Sequence, residues 1–272
     1  MAQAFKKSDV EILVATMNRQ SLDFLVPMFT ISHFSEFNIL VVNQTTPDII
    51  LTSGFPSVRV INAFEIGLSK SRNLALTNAV GKLCLITDDD VIFKEDFLDH
   101  IVNAFNLNNT SALISFRIEK APGVLYKKYP KERVTTTALG HRLNIMSVEM
   151  VVNSALIREH KILFNEHFGL GAQFLMGEEA IFINSIHEGG LNIMLEPSVI
   201  AMHLGEDTHA RSSVLDKYYV QGALFTAIFK NNYYKWILFK IAYELKHNTI
   251  KLKEIVVAIR AALAGRAAFK KI

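Results

Sequence analysis

The chain reads as an α/β protein with a mixed, mostly parallel sheet flanked by helices and a helical C-terminal extension. Three observations predict this. Short apolar runs that end in polar clusters recur along the first two hundred residues and alternate with helix-like segments. Half of the 272 residues are hydrophobic and 20% are charged, so the chain can bury a large core. The last sixty residues lose the strand pattern and become basic and amphipathic.

The elements follow in order. Glu11 to Thr16 is a short apolar run with a polar stop, a buried strand. Residues 19–34 fit a helix. Phe37 to Val42 is a second strand, closed by the turn-rich Asn43-Gln44-Thr45-Thr46-Pro47-Asp48. Ser57 to Ile61 is a third. Ser69 to Val80 is a helix, opened by a capping serine and closed by Gly81. Lys82 to Thr87 is a fourth strand with Asp88-Asp89-Asp90 at its end, and Phe97 to Phe105 is a helix. Ala112 to Ile118 and Ser147 to Leu156 read as strands around a long polar loop, 120–142. A helix from Gly177 to His187 ends at Gly189-Gly190, and Ile193 to His203 contains the last strand. Residues 213–230 and 233–268 read as amphipathic helices. This divides the chain into a catalytic domain, 1–210, and a basic helical extension, 211–272.

The single cysteine, Cys84, lies inside an apolar run and reads as a core residue. No stretch has the length of a signal-peptide core or of the roughly 20 apolar residues of a spanning helix, so the expectation is a cytoplasmic protein, at most peripheral on the inner face of the membrane. The net charge of +3 is uneven: residues 211–272 hold 12 Lys+Arg against 3 Asp+Glu, and residues 1–210 hold 17 against 23. The tail therefore suits an anionic surface such as a membrane, or packs its apolar face on the domain before it. No nucleic-acid motif accompanies it.

In parallel sheets ligands bind beyond the carboxyl ends of the strands. Thr16-Met17-Asn18-Arg19, Asn43-Gln44 and the aspartate triplet all fall there. Three adjacent carboxylates repel one another unless a cation offsets them, and Mg²⁺ or Mn²⁺ bridging to phosphate is the natural offset. A solvated acidic turn capping a helix is the simpler alternative. Glu178 and Glu179 open a helix, where acids are ordinary. His203 ends a strand.

Taken together these blocks resemble family-two glycosyltransferases of the GT-A fold. The match is carried by Gly67-Leu68-Ser69-Lys70-Ser71-Arg72-Asn73, Ala79-Val80-Gly81, Asp88-Asp89-Asp90, Phe97-Leu98, and Thr16-Met17-Asn18-Arg19 before them. Val42-Asn43-Gln44 adds some likeness to β-1,4-galactosyltransferases. The resemblance implies an inverting, metal-dependent enzyme that moves a sugar from a nucleotide-sugar donor, a UDP-sugar foremost, to a glycan or lipid-linked acceptor in surface polysaccharide synthesis. It places Thr16, Asn18, Arg19, Asn43, Lys70, Arg72, Asp88 and Asp89 at the nucleotide, and Asp90 with His203 on Mn²⁺ or Mg²⁺, His209 being the second choice and Glu206 and Asp207 outer partners. Glu179 takes the place of the general base, where the family carries Asp, and Glu178 would bond the acceptor or order the loop. The alternatives are a nucleotidyltransferase or a non-catalytic glycan-binding relative of the same fold.

Overall fold

The computed structural model describes residues 4–203 and 213–272. Its first part is a ten-stranded sheet. The first strands are β1 (Val10–Met17), β2 (Ile39–Gln44) and β3 (Val58–Ala63), followed by helix α1 (Leu68–Asn78) and β4 (Leu83–Asp88). Then come β5 (Val91–Phe93), α2 (Phe97–Leu107), β6 (Ser111–Ala121), β7 (Val124–Leu125), β8 (Val134–Thr135) and α3 (Leu139–Arg142). The remainder is β9 (Met150–Asn153), α4 (Ser154–Glu159), α5 (Glu178–Glu188), β10 (Asn192–His203), α6 (Val214–Phe229), α7 (Tyr233–Lys246) and α8 (Ile255–Phe269).

The strand order is β3-β2-β1-β4-β9-β6-β10-β5. β3, β2, β1 and β4 run parallel, and β9 enters antiparallel between β4 and β6. Period-two alternation divides the strands between two layers. Ile12, Val14, Ile39, Val41, Leu83 and Leu85 face a core shared with α2. Leu13, Leu40, Val42, Cys84 and Ile86 face the other, shared with α1, α4 and α5. Cys84 is buried there and its thiol is pushed up to about 12, chiefly by desolvation, so it is a packing residue.

Several elements differ from the sequence reading. Residues 19–34 form no α-helix: 3-10 turns span Leu22–Met28 and Phe34–Glu36 instead. Pro27 removes a donor in the first of them, and burying Leu25 and Met28 needs only two short turns. Ser147 to Leu156 is not one strand either. A 3-10 turn (Ser147–Glu149) leads into β9, and α4 starts at Ser154 with the Asn153 side chain capping it. The tail is three helices rather than two, broken between Lys246 and Ile255. The expected boundary at 210 lies outside the described residues, as do Glu206, Asp207 and His209.

The C-terminal helices form their own small core around Tyr218, Ile237, Ile241, Ala258 and Ala262. α6 and α8 cross at their glycines. A Cβ on Gly222 would stand 2.0 Å from the Ala262 carbonyl oxygen, and one on Gly265 only 1.8 Å from that of Tyr219. Among the described residues no helix is long and apolar enough to cross a membrane.

This crossing predicts that Gly265→Ala destabilises the protein by about 1–3 kcal/mol in thermal or urea denaturation, because overpacking outweighs alanine's helix preference. Gly140→Ala, with nothing near its added Cβ, leaves the midpoint unchanged or raises it.

Candidate active site

The carboxyl ends of the strands open on a cavity of about 540 Å³. Register explains who meets there. Ala15 of β1 pairs with Asp88 of β4, and Thr16 is level with Asn43 and Asn62 across β1, β2 and β3. The antiparallel β5–β10 pair sets His203 opposite Val91, so its imidazole reaches the residue before that strand, Asp90. Thr16, Arg19, the three aspartates and His203 line one side of the cavity, with Ile66, Leu170 and Gly171 also in its lining.

Asp89 is more than a neighbour of the other two. Its Oδ2 accepts from Thr16 Oγ1 and from Arg19 Nη2 at 2.7 Å, so it holds the Thr16–Arg19 segment against the triplet. Asn18 adopts the left-handed region, φ 54°, to make that turn, and its backbone N–H donates to Gln44 O. Asn43 is differently employed from the expectation. It is fully buried. Its Oδ1 accepts from Arg19 N, and its Nδ2 donates to Arg19 O and Asn62 Oδ1. Both amide hydrogens are spent on the chain itself, so it fastens the Arg19 turn. Lys70 is also elsewhere. It pairs with Glu65 at 2.6 Å and lines a neighbouring cavity of about 460 Å³.

The segment from Gly67 to Asn73 is mostly internal bracing. Ser69 Oγ donates to Phe168 O and Asn73 Nδ2 to Phe164 O, so α1 is tied along its length to the segment 164–170. Arg72 lies between them and is buried. Its Nη2 donates to Asp88 Oδ1 (3.1 Å) and Ser147 Oγ (2.7 Å), and its Nη1 to Glu178 Oε1 (3.1 Å). Burial alone would lower its pKa; Asp88, Glu178 and Glu179 outweigh that and raise it. Glu178 is pushed up to about 7, by burial and then by the charge of Glu179, with Arg72 opposing. It is buried, with its side chain beside Gly169.

Glu179 is partly exposed. Its Oε1 accepts the Ser147 backbone N–H at 2.8 Å and lies 3.9 Å from Arg72 Nη1. Burial is the main cause that raises the pKa of Asp88, and the hydrogen bond to Asp90 the main one that raises that of His203; the charge of Glu179 adds to both. Ser147 thus joins Arg72 to Glu179, a role with no local sequence signal, since its partners are 75 and 32 positions away.

Asp90 and His203 meet at 3.2 Å, Oδ1 to Nε2. That hydrogen bond lowers the carboxyl's pKa and, against burial, raises the imidazole's. His203 Nδ1 is buried without a hydrogen-bond partner among the described residues, and the ring lies 5.7 Å from that of Tyr126. One carboxylate oxygen and one imidazole nitrogen suit Mn²⁺ or Mg²⁺ when a ligand supplies further oxygens. Among the described residues no group of three His, Cys, Asp or Glu could hold a metal ion.

A family model described as "Glycosyl transferase family 2" matches residues 11–176. No curated protein sequence matches the chain. Among solved structures, residues 1–349 of S. aureus TarS in complex with UDP-GlcNAc are 18% identical, with TM-score 0.59, over 93% of this chain and 79% of that one. The same fragment in complex with UDP is 18% identical over 90% and 76%, with TM-score 0.54. Against the longer TarS structure the TM-score is 0.57 at 18% identity, and 93% of this chain covers 47% of that one. At this identity the likeness shows the fold. The narrower likeness to galactosyltransferases gains no support from these matches.

Two outcomes follow from the buried charges. Arg72→Met leaves Asp88 and Glu178 without their cation and loses about 3–5 kcal/mol in urea denaturation; Arg72→Lys recovers only part, lacking the planar fork. Because Glu178 holds its proton more tightly when folded, the wild type loses stability relative to Glu178→Gln as pH rises from about 4.5 to about 7, and the gap is flat outside that window.

Proposed function

The chain belongs to glycosyl transferase family 2 and is a glycosyltransferase; from that premise we propose that it uses a nucleotide-sugar donor and inverts the anomeric centre of a UDP-sugar in a single displacement by an acceptor hydroxyl. One observation carries this reading. The Arg72 guanidinium bonds Asp88 on the cavity wall, Glu178 at the start of α5, and Ser147, which holds Glu179. The triplet and the second acid pair therefore belong to one braced unit although about ninety residues separate them.

In this reading Thr16, Arg19 and Asp89 form the wall against the nucleotide, and Asp88 contacts the nucleoside in the orientation that Arg72 imposes. Glu179 removes the proton from the attacking hydroxyl. It is anchored through one oxygen by the Ser147 N–H and is partly exposed, as a base must be to reach an acceptor. The longer Glu side chain sets where the acceptor oxygen must lie.

The charges near the cavity argue for a divalent ion. Arg19 is paired with Asp89, Arg72 is buried among acids, and Lys70 is turned to the next cavity. A diphosphate entering here meets three carboxylates and, among the described residues, few free cations. Asp90 and His203 would hold Mn²⁺ or Mg²⁺, whose charge offsets the phosphates and the leaving group. The UDP preference is supported by the shared fold with TarS, crystallised with UDP and with UDP-GlcNAc. A glycan or lipid-linked acceptor in surface polysaccharide synthesis fits an enzyme of this class that works at an anionic membrane surface on its cytoplasmic side. The catalytic unit takes in residues 1–210, with 211–272 as the part that faces that surface.

Thermal-shift measurements with UDP-, GDP-, CDP- and dTDP-sugars, with and without Mn²⁺, test the donor. A UDP-sugar is expected to stabilise the protein only with metal, and Asp90→Asn removes that dependence. In transfer assays Glu179→Gln lowers turnover by about 10²–10⁴-fold and keeps the donor-induced shift. A variant as fast as wild type would sink the base assignment. A wild type that binds donor without turnover on any acceptor pool would mark a binding relative instead.

A further inference from the structure

α7 turns one side into the C-terminal core and leaves the other exposed. Ile237, Ile241 and Glu244 mark the inner side, three and four residues apart. Tyr234, Leu238, Phe239 and Tyr243 point outward, with Lys235 and Lys246 toward the two ends of the same face. Leu238 is 55% exposed and Phe239 63%, two large apolar side chains side by side on one exposed face. The helix exposes no carboxylate. Its only acid, Glu244, is buried and taken by Tyr218, Lys217 and Lys240. Beyond the helix, Leu252 is 77% exposed between Lys251 and Lys253.

We propose that the outer face of α7, together with the Lys251-Leu252-Lys253 turn, lies on an anionic lipid bilayer. Each part of the face has a place there. Leu238 and Phe239 enter the boundary between headgroups and acyl chains. Tyr234 and Tyr243 flank them, and a tyrosine ring with an apolar body and a polar tip suits that depth. Lys235 and Lys246 stand eleven residues apart, about 16 Å along the helix. Their stems run along apolar surface while their ammonium groups reach out to lipid phosphates. This side of α7 is exposed and does not pack on the catalytic domain; the inner side packs in the core of the C-terminal helices. Spanning is ruled out for α7 by its length of 14 residues. Charge selects the lipid: 12 Lys+Arg against 3 Asp+Glu in residues 211–272 favours an anionic headgroup over a neutral one.

The proposal does not rest on the catalytic reading, because the assay contains no donor or acceptor. The full chain is floated with vesicles of phosphatidylcholine alone and of phosphatidylcholine with phosphatidylglycerol. It is expected to float with the second and not the first, and to be released by high salt. Leu238→Glu with Phe239→Glu abolishes flotation. Lys235→Gln and Lys246→Gln each weaken it about fivefold. All four side chains are exposed, so unchanged thermal midpoints confirm that the variants fold. Failure to float with the anionic vesicles, or equal flotation of the Leu238→Glu, Phe239→Glu variant, overturns the proposal. So does a dimer in size-exclusion chromatography that the same double variant dissolves while vesicles bind nothing, for then a second copy covers the face.

Discussion

A guanidinium removed from water must be surrounded by acceptors, and that requirement at Arg72 organises the site. An unpaired buried charge costs several kcal/mol, so the chain has to bring anions and neutral acceptors to it. They come from three places: Asp88 ends β4, Glu178 begins α5, and the Ser147 hydroxyl belongs to the turn before β9. None is adjacent in sequence. The same ion network that neutralises Arg72 therefore fixes the distance between the cavity wall and the second acid pair. Glu179 inherits its position from that network through Ser147, whose backbone N–H it accepts. Preorganisation of this kind is what a displacement reaction needs, because the groups need not reorganise when the substrate arrives.

The loop opposite the aspartates is held in a similar way from its other side. Phe168 and Phe174 are buried, and they meet Tyr219 of α6 and Phe269 at the end of α8. Gly177, at φ 103°, starts α5 where Leu224 of α6 leaves little room for a Cβ. The loop is thus pressed between α1, through Ser69 and Asn73, and the C-terminal helices. The family model ends at Met176, one residue short of the acids. What lies beyond it, α5 through α8, supplies both the second acid pair and the surface against which the loop packs. The tail is part of the architecture of the cleft as well as a carrier of charge.

Some of this was legible before the fold was known. The parallel strands announced themselves as apolar runs with polar stops, because strands buried on both faces can hold little else. The order of the Thr16–Arg19, Gly67–Asn73 and aspartate blocks was enough to collect them at one edge. Side-chain direction was not. Asn43 and Lys70 sit in motif positions, yet one amide is turned inward to tie Arg19 and Asn62, and the ammonium is turned away to Glu65. Periodicity gives a face, not a partner. Ser147 was invisible for the same reason: its function is two long-range contacts in a segment whose apolar residues, Val148 and Met150 to Val152, imitate a longer strand. The segment 19–34 failed differently. Its apolar residues recur at helical spacing, but Pro27 and the capping Ser21 favour short turns, and packing of Leu25 and Met28 accepts them.

The two charge systems of the molecule can now be set against each other. The part before residue 211 is acidic, and Asp88, Asp89 and Asp90 line the cavity. The tail is basic, and its acid on α7 is buried. Near an anionic surface the tail is attracted and the acidic part repelled, so the field exerts a torque as well as a pull. Screening limits this to about a Debye length, roughly 8 Å at physiological salt, so it acts on residues that approach the surface and leaves the far side unaffected. Separation of charge along the chain then does what neither charge does alone: it selects an orientation. For the proposed acceptor at a bilayer, such an orientation is what transfer would require.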